Sequence, residues 1–124
     1  MAELSVKLAI PSDVAAVFNA PRVQLPALAG DITILPDRAP LELVLRNGLV
    51  RIYDEKGQAG DGYFIKGGIA HIAGNECQVG TEMIVPMQDI SLAEAEHKSA
   101  DQALNIEEQK FFGDVAAKLK LLNR

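Results

Sequence analysis

The chain has 124 residues, 48% hydrophobic and 23% charged side chains, a mean hydropathy of +0.09 and a net charge of −5 with a pI near 4.9. That size and balance fit one folded unit, or one plus a small appendage, and argue against long disorder; the acidity argues against nucleic acid as the main partner, because phosphate contact needs a basic face. No run approaches the ~18 apolar residues of a membrane-spanning helix, Met1-Ala2-Glu3 does not open a secretory leader, and the lone Cys77 excludes an internal disulfide or a multi-cysteine zinc site and suits a reducing compartment.

Leu4, Val6, Leu8 and Ile10 alternate with polar neighbours, the period-two pattern of a half-buried strand. Val23 and Leu25, then Leu41, Leu43 and Leu45, then Val50 and Ile52 repeat it. Asn47-Gly48 between two such runs predicts a tight hairpin turn, with both positions tolerating positive φ. Lys56-Gly57 to Asp61-Gly62 predicts a longer loop, and Gly67-Gly68 and Gly74-Asn75 two further tight connections. About nine short strands at ~8–12-residue spacing read as an antiparallel sandwich or barrel.

All six prolines lie between Pro11 and Pro86, and nine of the ten glycines between Gly30 and Gly80. Residues 87–124 are instead rich in Ala, Glu, Lys and Leu, so the chain divides into a β unit, residues 1–86, and a helical hairpin, residues 87–124, with Pro86 as the border. Ser91 to Glu94 and Asn105 to Glu108 offer capping boxes. Phe111, Phe112, Val115, Leu119 and Leu122 form an apolar stripe, and Gly113 predicts a second helix that begins only at Asp114. Both helices are then too short to stand alone in water.

Reactive groups are scarce. His71 and His97 stand 26 positions apart in different zones and read as a strand imidazole and a solvated helix residue. Cys77 reads as a packed small residue. There is no Gly-x-Ser-x-Gly elbow and no phosphate-cradling loop, and Gly60-Asp61-Gly62 carries too few carboxylates for calcium and reads as a hairpin turn. The residues support neither an enzyme nor a metal or cofactor site. The stretch from Leu25 to Leu41 holds three prolines and an acid-bearing turn between apolar strands, which suits either a rigid binding loop or a stiffened connection.

In that stretch the sequence resembles the ε subunit family of rotary F-type ATP synthases, in a short bacterial form. The family's Leu-Pro-Gly, Gly-Glu and Leu-Pro-Gly-His-Ala-Pro-Leu elements correspond to Leu25-Pro26, Gly30-Asp31 and Leu35-Pro36-Asp37-Arg38-Ala39-Pro40-Leu41. Gly48-Leu49-Val50-Arg51-Ile52 and Gly67-Gly68-Ile69 follow in the family's order. The resemblance implies a ten-stranded antiparallel β-sandwich followed by an α-helical hairpin. It implies a non-catalytic central-stalk subunit that couples the catalytic head and the γ subunit to the membrane c-ring of a proton-translocating synthase. Such a subunit has no cofactor and does not insert into the membrane, and it sits peripherally on the cytoplasmic face of the bacterial plasma membrane. Leu28, Gly30 and Asp31 would meet the c-ring, with Asp31 opposite a ring arginine. Arg38, Ala39 and Pro40 would meet γ, and Arg38, standing where the family has histidine, would seek an acid there.

Two departures bear on regulation. The family's nucleotide-sensing Ile/Leu-Asp-x-x-Arg-Ala is Ile90-Ser91-Leu92-Ala93-Glu94-Ala95 here, so a carboxylate replaces the phosphate-facing arginine and ATP binding is expected to be absent or weak. Lys110, Lys118, Lys120 and Arg124 make the last helix cationic. A contact with the β subunit that restrains hydrolysis is one reading of these residues, and complementing the helix dipole is the favoured one. The rival to the whole reading is a standalone β-sandwich that binds a protein or another ligand; the absence of Trp weighs against sugar.

Overall fold

A computed structural model describes residues 3–122. Among these residues ten strands precede two helices: β1 (Leu4–Ile10), β2 (Asp13–Ala20), β3 (Arg22–Ala27), β4 (Gly30–Ile34), β5 (Arg38–Leu45), β6 (Gly48–Tyr53), β7 (Ala59–Ile65), β8 (Gly68–Gly74), β9 (Glu76–Gly80), β10 (Ile84–Pro86), α1 (Leu92–Ser99) and α2 (Ile106–Leu121). A 3-10 turn, Met87–Asp89, joins β10 to α1. The strands form one path, β10-β7-β6-β3-β5-β8-β9-β1-β2, with β4 paired to β3. The β3–β5 link is a single pair, Ala27 with Leu45, so the path folds there into two leaves. All neighbours are antiparallel except β1 and β9, which run parallel.

The alternation read from the sequence builds the space between the leaves. Leu4, Val6, Leu8, Val23, Leu25, Ile34, Val50, Ile65, Ala70 and Cys77 are fully buried in one cluster. Each larger side chain there contributes roughly 1.5–3 kcal/mol of burial. Across the open side, the Phe18 ring of β2 stacks on Tyr63 of β7 at 5.8 Å.

Three expectations about turns and helices are corrected. Asn47-Gly48 is not a hairpin, since β5 pairs with β8 while β6 pairs with β3 and β7. The chain changes leaf there, and Gly48 is needed for a close approach, since a Cβ on it would stand 2.6 Å from the Pro26 Cβ. The loop after β6 is shorter than expected. Asp54 Oδ1 accepts from the Lys56 and Gln58 amides, both at 2.9 Å, so the turn closes early and Gly60-Asp61-Gly62 lies within β7. Gly62 is the only residue its place allows, because a Cβ would stand 2.4 Å from the Val50 carbonyl oxygen. Finally, α2 starts at Ile106 and runs through Gly113 for 16 residues.

Caps and packing explain the longer helix. Asn105 Oδ1 accepts from the Glu108 amide at 2.8 Å, and its Nδ2 donates to Glu108 Oε1 at 2.7 Å. At α1, Ser91 Oγ accepts from the Glu94 amide at 3.1 Å, and Glu94 Oε1 accepts from the Ser91 hydroxyl at 3.3 Å; the box expected there returns to the side chain of Ser91. Phe111, Phe112, Val115, Ala116 and Leu119 of α2 and Ala95 of α1 are buried in a second cluster against Leu49 and Phe64, on the outer face of β6 and β7. This burial outweighs the ~1 kcal/mol that a mid-helix glycine costs. A Cβ at Gly113 would rest 3.8 Å from the Ser99 Cβ, an ordinary contact. Gly113→Ala is therefore expected to stabilise the protein by ~0.5–1 kcal/mol in a urea titration, and a loss of stability would contradict this placement.

Candidate functional site

The β3–β4 hairpin turns at Leu28 and Ala29, because Ala27 pairs with Gly30. Leu28 is 68% exposed, although its amide donates to the Val44 carbonyl at 2.9 Å. The Arg46 amide donates to the Pro26 carbonyl at 2.9 Å. These two bonds fix the turn to the end of β5, and they place Arg46 Nη2 2.5 Å from Asp31 Oδ1. Both side chains of that pair stay partly exposed, at 40% for Arg46 and 34% for Asp31. The pair is a charge-assisted bond that orients the carboxylate, and surface screening keeps its own contribution to stability small.

α2 forms the opposite wall of a cleft of about 630 Å³ that begins at this turn and includes Leu28, Asp31, Arg46, Lys110, Asp114 and Lys118. Asn47 Nδ2 donates to Asp114 Oδ2 at 3.1 Å, bridging the leaf crossing to α2. A second link lies nearby. Lys66, 14% exposed, reaches Glu82 at 3.3 Å and Glu107 at 3.5 Å. Burial pulls its pKa down, but the hydrogen bonds and negative charge of these two carboxylates outweigh that, so the ammonium sits above the usual lysine range.

Arg38, Ala39 and Pro40 are exposed at the start of β5, at the other end of the sandwich from Leu28, Gly30 and Asp31. The five residues of β4 separate the groups by about 17 Å. Asp37 precedes Arg38 with φ +59°, and its amide donates to Asn75 Oδ1 at 2.8 Å, pinning this loop to the β8–β9 turn. The structure thus makes two separate surfaces of the residues singled out from the sequence. Of the α2 lysines, Lys110 and Lys118 line the cleft beside Asp31, whereas Lys120 faces Glu96 of α1 at 3.8 Å. Arg124 lies outside the described residues.

Arg46 was not singled out. Nothing local marks it; its partner lies 15 positions earlier and meets it only when β4 folds back on β3. The groups that could suggest chemistry are dispersed. His71 is exposed in mid-leaf with Nδ1 3.1 Å from Glu42 Oε2. His97 is exposed on α1. Cys77 is fully buried in β9, and burial pushes its thiol up to about 11, away from nucleophilic use. Among the described residues no three His, Cys, Asp or Glu side chains converge as metal ligands, and no helix is long and apolar enough to cross a membrane.

The comparisons with known proteins agree with this architecture. The family model described as ATP synthase, Delta/Epsilon chain, beta-sandwich domain matches residues 3–87. The chain is 33% identical to the ATP synthase epsilon chain of Granulibacter bethesdensis over 82% of its own length and 74% of that protein. It is 28% identical to the ATP synthase epsilon chain of Rickettsia bellii over 77% of this chain and 89% of that one. It superposes, with a TM-score of 0.69 and 19% identity, on a chain in the cryo-EM structure of the Euglena gracilis mitochondrial ATP synthase OSCP/F1/c-ring, covering 100% of this chain and 83% of that chain. With a family model spanning the whole two-leaf body and a relative one-third identical along most of the chain, this protein belongs to the ATP synthase delta/epsilon family.

Proposed function

We propose that this chain is a non-catalytic rotor subunit of the central stalk of a proton-translocating F-type ATP synthase. It binds γ and the membrane c-ring from the cytoplasmic face of a bacterial plasma membrane. The observation that carries this reading is the pair of exposed, backbone-pinned surfaces at opposite ends of one stiff sandwich. A close-packed body with a grip at each end can transmit torque without chemistry of its own.

In this reading Leu28, Gly30 and Asp31 face the ring. Arg46 holds one carboxylate oxygen of Asp31, and the lone pairs of the other can accept from a ring arginine. Arg38, Ala39 and Pro40 face γ, where the guanidinium of Arg38 pairs with an acid. Residues 1–86 are the gripping unit and residues 87–124 are a hairpin folded against it. Lys118 and Lys120 stand in the last turn of α2 and complement its dipole; the alternative use for them, with Lys110 and Arg124, is a contact with the β subunit.

The test is ATP-driven proton pumping in membranes depleted of this chain and then resupplied with it. Pumping should be lost on depletion and return with the wild-type chain. Undiminished pumping without the chain would end the proposal. Nucleotide sensing is not part of it, because the Glu94 carboxylate sits hydrogen-bonded to Ser91 at the opening of α1, where a phosphate would meet repulsion. Millimolar ATP is accordingly expected to leave amide resonances of residues 88–120 in place; clear shifts there would contradict this.

A further inference from the structure

Arg22 and Arg51 form a cationic pair that the stalk contacts do not use. Arg22 pairs with Tyr53 across β3 and β6, and Gln24 pairs with Arg51, so the two arginines are diagonal neighbours on one face. That face points away from Val23, Leu25 and Val50, which are fully buried between the leaves. Diagonal side chains of this kind have Cβ atoms about 7–8 Å apart, well within the span of two guanidinium groups.

Both arginines are half-buried, and the Nε atom of each is buried with no hydrogen-bond partner. Among the described residues neither forms an ion pair, whereas Arg46, Lys66 and Lys120 each do. Asp54, in the turn after β6, spends its Oδ1 on the Lys56 and Gln58 amides and forms no ion pair with either arginine. Small residues stand alongside: Gly62 pairs with Arg51, and a side chain on Gly57 would come within 3.8 Å of Arg22 Nη1. With each Nε occluded, the guanidinium groups can present only their Nη edges, which is the fork that grips a carboxylate or phosphate. Two like charges close together on one sheet face repel, and an anion held between them offsets that repulsion. This occurs in a chain whose net charge is −5, where an acid to neutralise them would have been easy to place.

We infer that Arg22 and Arg51 dock an acidic segment of a neighbouring subunit on the outer face of β3 and β6. A protein carboxylate is favoured over a small anion because the patch lies on a sheet face, beyond the part of that face where the hairpin covers Leu49 and Phe64, and outside the clefts at Leu28, His71 and Ile69. The inference takes its neighbour from the stalk reading, but it concerns the far end of the sheet face that carries Asp31, four residues along β3 from the Pro26–Asp31 pair.

Thr33 is exposed and pairs with Gln24, so it marks this face without belonging to the arginine pair. The experiment uses Thr33→Cys labelled with a benzophenone maleimide in the purified synthase complex, since buried Cys77 does not compete for the label. Illumination should join the chain to one subunit through a peptide carrying clustered Asp or Glu. Arg22→Gln/Arg51→Gln should lower the yield about tenfold while the chain still co-purifies with the complex. No adduct, or an adduct indifferent to the double substitution, would overturn the inference. A parallel titration of the isolated chain with pyrophosphate, read at the arginine Nε–Hε resonances, is expected to show only millimolar affinity. Submillimolar binding there would make the patch a small-anion site and overturn the docking assignment. Loss of co-purification in wild type would instead count against the stalk reading, so the two failures are separable.

Discussion

Phe111→Ala should destabilise the protein by about 3–5 kcal/mol, the largest loss expected from one side chain in the helical hairpin. Phe111 is fully exposed-surface-free, with 0% accessibility, and meets Phe112 edge to face at 5.0 Å. It belongs to the cluster that seats α2 on Leu49 and Phe64. Alanine would leave a cavity between two elements that cannot close on it, because β6 and β7 are held by their sheet partners. The 8-residue α1 is too short to be stable alone, so it should fray with α2. Urea denaturation should show the loss, and hydrogen exchange should show it first in residues 92–121. A loss below about 1 kcal/mol would mean that the hairpin is not anchored by this cluster. The Lys66–Glu107 and Asn47–Asp114 contacts would then have to hold it, a poor substitute given how little exposed polar links contribute.

Gly68→Ala should be at least as damaging, by a different mechanism. Gly68 has φ +127°, and a Cβ there would overlap the backbone carbonyl oxygen of Gly80. Backbone on both sides leaves no side chain to swing aside, so the β8–β9 register must shift or the strand must detach. We expect a loss of more than about 4 kcal/mol, seen as insoluble expression or a collapsed thermal transition. Gly74→Ala is the matched control. Its φ is also positive, at +58°, but nothing lies within 4 Å of the added carbon, so it should cost only the ~1–2 kcal/mol of the left-handed backbone. Equal effects at the two positions would show that backbone strain, rather than the close approach of β8 to β9, governs Gly68.

The contrast between these glycines shows what the sequence could carry. A period of two is set by the strand itself, so Leu4, Val6, Leu8, Val23 and Leu25 were readable as inward-facing and are all buried. The capping residues Ser91 and Asn105 were readable for the same reason, since their partners lie three positions away. Asn47-Gly48 was misread because a local turn signal does not say which strands will pair. Here Gly48 answers to Pro26, brought near by the leaf crossing. Gly113 was misread because helix propensity was weighed without the burial of Phe111 and Phe112 before it and of Val115 and Ala116 after it. The residues of the two candidate surfaces came from the family resemblance, whereas Arg46, Arg22 and Arg51 became visible only in three dimensions. Their significance lies in a charge pair or in the lack of one, and both are set by distant strands.

Two variants with one added cysteine each can report both ends of the sandwich within the assembled synthase. Leu28→Cys and Arg38→Cys place a benzophenone maleimide on exposed positions at the two surfaces, with Cys77 shielded inside β9. The label at position 28 should cross-link to the c-ring subunit and the label at position 38 to γ. Adducts to the reverse subunits, or none at either position in an intact complex, would contradict a rotor subunit that spans γ and the ring.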